Sequence, residues 1–141
     1  MSQSKRELIM QAIIALMIEL GVAVYRSPFQ AIDRTEINQA ACIVDWSTED
    51  AVPETNVFDE CRLVVGLSIM SCSVEESEQV ADDLIAQAHF LLMADRTLSG
   101  LVDEITRLDA NKVQDDADLE RCVITQRYAV TYQHKANDLT S

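Results

Sequence analysis

The sequence has little of what most active sites are built from. Only three of its 141 residues are glycine, and Gly21, Gly66 and Gly100 are too dispersed to form a phosphate-binding loop. Its two histidines have no patterned carboxylate partners, so the sequence indicates neither a catalytic triad nor a metal site. We therefore expect a protein that is not an enzyme and that needs no metal or cofactor.

Basic residues are also scarce. The chain has 11 Lys and Arg against 24 Asp and Glu, which gives a formal net charge of -13. Because phosphate binding needs clustered Lys and Arg, this balance argues against specific nucleic-acid binding. The same reasoning disfavours anionic membrane surfaces. The plain interpretation is a solvated acidic surface, and the sharper one is a surface that must not bind DNA.

No hydrophobic run is long enough for a membrane span. The most apolar stretch, residues 8–24, is interrupted by Gln11 and Glu19 and broken by Gly21. It is shorter than the roughly 20 apolar residues that a span requires, and no small-residue cleavage site follows it. We expect a helix of a soluble protein and no targeting signal.

The four cysteines form no CxxC pair, which leaves little case for a zinc or thioredoxin-type site. Each lies in a strand-like run, where cysteine behaves as a small buried hydrophobe, and reduced thiols fit a cytosolic setting. Aromatic content is only 5%, so the core must be mostly aliphatic. The length suits one domain over residues 1–141, with a tail after Lys135 that we expect to fray.

Two helices are predicted. Ser4 and Glu7 form a capping-box pattern that opens the first, over about residues 5–20, and Gly21 is placed to end it. Its apolar residues form two faces: Leu8, Ile9, Ala12, Ile13, Leu16 and Leu20, and then Met10, Ile14, Met17 and Ile18. Such a helix is either central in the core or shared with a neighbouring subunit.

Ser73 and Glu76 form a second capping box, which opens a helix over about residues 74–94. Its apolar stripe has helical spacing and consists of Val80, Leu84, Ala88 and Leu91, with Ala81, Ile85 and Leu92 alongside. His89 lies near this stripe, and we interpret it as a packed or half-exposed histidine rather than a catalyst.

Strands are predicted at residues 22–25, 39–46, 58–72, 105–113 and 119–134. The clearest is 58–72, whose odd positions are apolar from Cys61 to Ile69, the alternation typical of one buried face. In the last strand Cys122, Ile124, Tyr128, Val130 and Tyr132 share a face that Glu120 and Gln126 interrupt. Between the elements we expect a loop at 26–36, an acidic loop at 47–56, a helical turn at 98–103 and an acidic turn at 114–118.

The element order α-β-β-β-α-β-β predicts an α+β fold. We expect a mixed or antiparallel sheet of about four to five strands, with two main helices packed on it. The acidic turn with Asp115, Asp116 and Asp118 lacks the glycine and the closing glutamate of a calcium-binding EF-hand, so we interpret it as a solvated turn.

Taken together, the elements resemble the phage tail terminator family, the minor tail proteins U of lambda-like phages and their prophage relatives. The resemblance rests on the order RELIMQAIIALMIEL, QAACIVDW, CRLVVGLSIM and EESEQVADDLIAQAHFLLMAD, followed by TLSGLV and a closing YAVTY. It covers nearly the whole chain.

The resemblance implies a structural protein that forms a hexameric ring on the head-proximal end of the tail tube. The ring stops tube polymerisation and offers a surface for joining the head. The implied partners are other copies of the chain, the tail tube protein and a head-completion protein, in the host cytoplasm during assembly and then in the virion tail. An acidic lumen that repels DNA phosphate would suit such a ring.

The sequence offers four candidate interface residues. Arg26, Phe29 and Arg34 stand out in an acidic chain and could meet an acidic tube surface; the alternative is a local ion pair with Asp33 or Glu36. Trp46 is either an interface anchor or a residue at the core edge. The alternative function is an acidic α+β protein-binding module, such as a dimeric secretion chaperone.

Overall fold

The computed structural model describes residues 3–26, 39–53, 57–72, 77–115, 121–135 and 138–140. In these ranges five strands form one sheet: β1 (Ala23–Tyr25), β2 (Gln39–Pro53), β3 (Phe58–Cys72), β4 (Glu104–Asp115) and β5 (Arg121–Lys135). The helices are α1 (Lys5–Met17), which continues as a 3-10 turn over Ile18–Leu20, and α2 (Ser77–Met93). The strand order is β1-β2-β3-β5-β4, with β1 parallel to β2 and the other pairs antiparallel. The α+β prediction, two helices on a mixed sheet, is confirmed.

The central strand β3 determines which face of the sheet is covered. Its odd-numbered residues Cys61, Leu63, Val65, Leu67 and Ile69 are at most 1% exposed, and they belong to the main core beneath both helices. A smaller cluster of Ala41, Ile43, Met70 and Cys72 lies apart from that core. Since neighbouring residues of a strand point to opposite faces, the second cluster belongs to the face away from the helices.

Strand β2 is longer than predicted. The prediction ended it at Trp46 and placed residues 47–56 in a loop, but the ladder with β3 continues to Pro53 after a register shift between Trp46 and Thr48. Such a bulge absorbs one extra residue and bends the strand. The pairing with β3 therefore overrides the turn-like composition of residues 47–53.

Helix α1 begins as predicted, because the Ser4 hydroxyl accepts a hydrogen bond from the Glu7 backbone N–H at 3.1 Å. Gly21 ends the 3-10 turn with φ +77°, a conformation that glycine adopts without strain. The buried residues are Ile9, Met10, Ile13 and Met17. This line straddles the two predicted faces and leaves Ile18 63% exposed.

The predicted stripe of α2 is rotated. The buried residues are Ser77, Ala81, Ile85, Ala88 and Leu92, whereas Val80 is 39% exposed. The flanking Leu84 and Leu91 are half-buried against the core. The second capping box, Ser73 with Glu76, lies outside the described residues.

Residues 98–103 form a tight turn and not the expected helical turn. Asp95 organises it, since its carboxylate accepts hydrogen bonds from the backbone N–H groups of Thr97 at 3.0 Å and Ser99 at 2.8 Å. Leu98, Ser99 and Gly100 all have left-handed φ values, of 48°, 59° and 88°. The turn thereby buries Leu98 and leads the chain from α2 into β4.

The end of β5 is more ordered than predicted. His134, expected in a frayed segment, is 4% exposed, and its Nδ1 lies 2.6 Å from the Lys135 carbonyl oxygen. Beyond it, the Leu139 carbonyl accepts a hydrogen bond from the Lys5 backbone N–H at 2.8 Å. The tail therefore contacts the start of α1, where it satisfies one of the free N–H groups of the helix terminus.

We predict that Ile13→Ala lowers the free energy of unfolding by about 2–5 kcal/mol, because it leaves a cavity between α1 and the sheet. Chemical denaturation measures the change. Val113→Ala, at a side chain that is 61% exposed on β4, serves as the control and should change stability by less than about 0.5 kcal/mol. Equal losses for the two variants would contradict the placement of α1 on the sheet.

Candidate interaction surfaces

The four cysteines are buried among apolar side chains. Cys42, Cys61, Cys72 and Cys122 are at most 1% exposed and form no disulfide with one another. Burial raises the pKa of the Cys42 thiol to about 12, and burial is also the main cause of the raised pKa of Cys61. A protonated thiol is a poor nucleophile and a poor metal ligand. Cys42, Cys61 and Cys122 belong to the core beneath the helices, whereas Cys72 belongs to the smaller cluster on the other face of the sheet.

The described ranges hold no group of three or more His, Cys, Asp or Glu that could bind a metal ion. Over the same ranges, no helix combines the length and the apolar character needed to cross a bilayer. His89 packs as expected, with Nδ1 2.8 Å from the Tyr128 hydroxyl and the two rings stacked at 5.8 Å between centroids. This contact connects α2 to β5.

Trp46 lies at the core edge, within a cluster that joins α1 to the sheet. The Arg6 guanidinium carbon sits 4.5 Å from the centre of a Trp46 ring, a distance that favours a cation–π interaction. The same guanidinium donates to Glu49 Oε2 at 2.7 Å. The Tyr132 hydroxyl donates to the other Glu49 oxygen. Glu49 lies in the part of β2 that was predicted as a loop, so the sequence analysis missed this cluster.

Arg26 is engaged within the chain. Its guanidinium forms two hydrogen bonds with the Glu7 carboxylate, at 2.6 Å and 3.0 Å. These bonds lower the pKa of the Glu7 carboxyl below its ordinary value. Arg26 therefore forms an ion pair with Glu7, while Asp33 and Glu36, the partners considered from sequence, lie outside the described residues. Phe29 and Arg34, the other candidates in that loop, lie outside the described residues.

The most exposed aromatic side chain of the described residues lies on α2. Phe90 is 75% exposed and lines an open groove of about 420 Å³ together with Glu19, Ala86, Gln87 and Leu91. Phe90 is two residues from both Ala88 and Leu92, which places it about 200° around the helix from the buried stripe. Sequence analysis did not select it, although an aromatic residue opposite a stripe was the available signal.

The groove lies on the layer that α1, its 3-10 turn and α2 form over the sheet (the helical layer), between the 3-10 turn and α2. The sequence contains no Lys or Arg between Arg6 and Arg26, or between Arg62 and Arg96. Glu19 lines the groove itself, and the exposed Asp82 and Asp83 lie one helical turn before Ala86 and Gln87. An apolar centre with a charged rim is the usual anatomy of a protein-binding surface.

A second depression, of about 350 Å³, lies on the face of the sheet away from the helices. It is lined by Asp50, Glu60, Arg62 and Thr131. Its lining is polar and includes both signs of charge, so it lacks the apolar anchor that the helical groove has.

Searches against protein-family models and against curated proteins find no match for this chain.

We predict that Arg6 and Glu49 are energetically coupled. A double-mutant cycle with Arg6→Ala and Glu49→Ala should give a coupling energy of about 1–2 kcal/mol, because both side chains are more than two thirds shielded from solvent. The control cycle uses Arg127 and Asp109, a salt bridge whose side chains are 50% and 48% exposed. Its coupling should be smaller because solvent screens exposed pairs. Equal couplings would contradict a special role for the Trp46 cluster.

We also predict a loss of stability at alkaline pH that depends on Tyr128. Burial raises the pKa of its phenol to about 12, while an unfolded tyrosine ionises near pH 10. The unfolded chain therefore releases a proton first, and the contribution of Tyr128 is complete below about pH 10 and lost as the pH rises to about 12. Urea midpoints measured across this range should fall less steeply in Tyr128→Phe. An unchanged slope would show that Tyr128 ionises freely in the folded protein.

Proposed function

We propose that this chain is a structural tail protein of a phage or prophage that caps the head-proximal end of the tail tube as a ring. The observation that carries the proposal is the order of elements about one sheet. The helix α1 precedes β1 and β2, the long β3 leads to α2, and β4 and β5 follow the Asp95 turn. This is the order on which the sequence resemblance to the tail terminator family rests.

The surface supports an assembly role over a chemical one. The described residues contain exposed large apolar side chains on the helical layer, including Ile18 at 63% and Phe90 at 75%. Exposed apolar groups that cluster around a groove often mark protein interaction sites. A ring requires a contact between two different patches of the chain, so the chain must offer at least two such surfaces.

In this role the ring stops tube polymerisation and presents a surface for the head-joining protein. The partners are further copies of this chain, the tube protein and the head-completion protein. Assembly takes place in the host cytoplasm, and the ring stays in the virion tail. The net charge of -13 fits a ring lumen that repels the phosphates of passing DNA.

Electron microscopy of the purified full-length protein tests the proposal, alone and mixed with the tube protein encoded by a neighbouring gene. We expect six-fold rings, and tubes of limited length that carry a ring at one end; tubes grown without this protein provide the control. A dimer at every concentration, combined with binding of a peptide, would favour the alternative of a secretion-chaperone-like module. Tubes of unchanged length without attached rings would overturn the terminator role.

A further inference from the structure

We propose that the groove beside Phe90 binds a segment of a different polypeptide, in which an apolar side chain is flanked by lysine or arginine. The proposal deepens the function proposed above and rests on it only for the kind of partner, a neighbouring protein of the tail. The chemistry of the segment follows from the groove itself.

Phe90 provides an unburied apolar surface at the groove. At 75% exposure its ring adds little to the core, although the groove floor formed with Ala86 and Leu91 could accept a further apolar side chain. A volume of about 420 Å³ lies within the range of clefts that bind ligands. Aromatic side chains such as phenylalanine are enriched in protein interfaces relative to the rest of the surface.

The rim of the groove is acidic. Glu19, Asp82 and Asp83 supply only negative charge, and neither the 3-10 turn at Ile18–Leu20 nor α2 contains Lys or Arg. Two copies of the chain joined groove to groove would set acidic rim against acidic rim, which is unfavourable. Lys and Arg on the incoming segment would instead complement the rim.

The basic residues of this chain are poorly placed to supply that complement. Five of its 11 Lys and Arg are already paired with carboxylates. Two more donate within the chain, Lys5 to the Gln133 carbonyl and Arg107 to the Gln126 side chain. A second copy also carries the same formal net charge of -13, so its approach to the acidic rim is unfavourable. A separate polypeptide with Lys or Arg beside an apolar side chain complements the rim, and we therefore assign the groove to a different chain.

The probe is a synthetic amphipathic helix with leucine along one face and lysine elsewhere, titrated into the full-length protein and followed by fluorescence anisotropy. We expect Phe90→Ser to weaken binding by at least about tenfold, because it removes the anchor. Val113→Ser provides the matched control, since Val113 is 61% exposed on β4, away from the groove, and should change binding by less than about twofold.

A second pair of variants tests the rim. The double variant Asp82→Asn with Asp83→Asn should weaken binding and reduce its salt dependence. Asp50→Asn with Asp103→Asn removes two exposed charges elsewhere and should have a smaller effect. If the two pairs weaken binding equally, the probe senses only net charge and the rim assignment fails. Equal binding by a version of the probe with glutamate in place of lysine would overturn it as well.

Measurements of self-association distinguish a second copy of this chain from a different polypeptide as the occupant of the groove. If Phe90→Ser dissolves an oligomer of the wild-type protein in sedimentation experiments, the groove belongs to a second copy and the proposal is wrong. If rings form normally from Phe90→Ser but no longer bind the probe or cap tubes, both proposals stand. If the protein forms no rings while Phe90-dependent probe binding persists, the terminator role fails and the groove assignment survives.

Discussion

The alternation of apolar and polar residues along β3 is the constraint on which the rest of the structure depends. This strand pairs with β2 on one side and β5 on the other over nearly its whole length. A shift of one residue would turn Glu60, Arg62 and Ser68 toward the helices, so the register is strongly specified. Because the odd face must be covered, α1 and α2 are held on one side of the sheet, and their outer surfaces form the helical layer.

The parts predictable from sequence were those with one strong local period. The alternation in β3 and the helical spacing in α2 gave the correct elements, and the Ser4 cap marked the start of α1. The prediction for the second half of β2 was wrong because Ser47, Thr48, Glu49 and Asp50 resemble a turn. Pairing with β3, which makes them a strand, is a long-range effect. Side-chain partners such as Glu49 with Tyr132 join residues far apart in sequence, and no local pattern reveals them.

The Trp46 cluster and the groove at Phe90 differ in whether their side chains already have partners within the chain. Around Trp46, the cation of Arg6 and the acid of Glu49 satisfy each other, so this cluster strengthens the contact between α1 and the sheet. Around Phe90 the apolar ring and the acidic rim contact no such partner among the described residues. Phe90 remains 75% exposed and could still be buried by a partner. Among the described residues, the helical layer is therefore the surface on which we expect a partner to bind.

The central claim is that the helical layer becomes covered when the protein assembles with its partner. Thiol labelling of Gln87→Cys measures this directly, because Gln87 lines the groove and all four native cysteines are buried. The account predicts that maleimide reacts rapidly with the free protein and at least about tenfold more slowly after assembly onto the tail tube. The control Val113→Cys should react rapidly both in the free protein and after assembly. Equal labelling of Gln87→Cys before and after assembly would contradict the account.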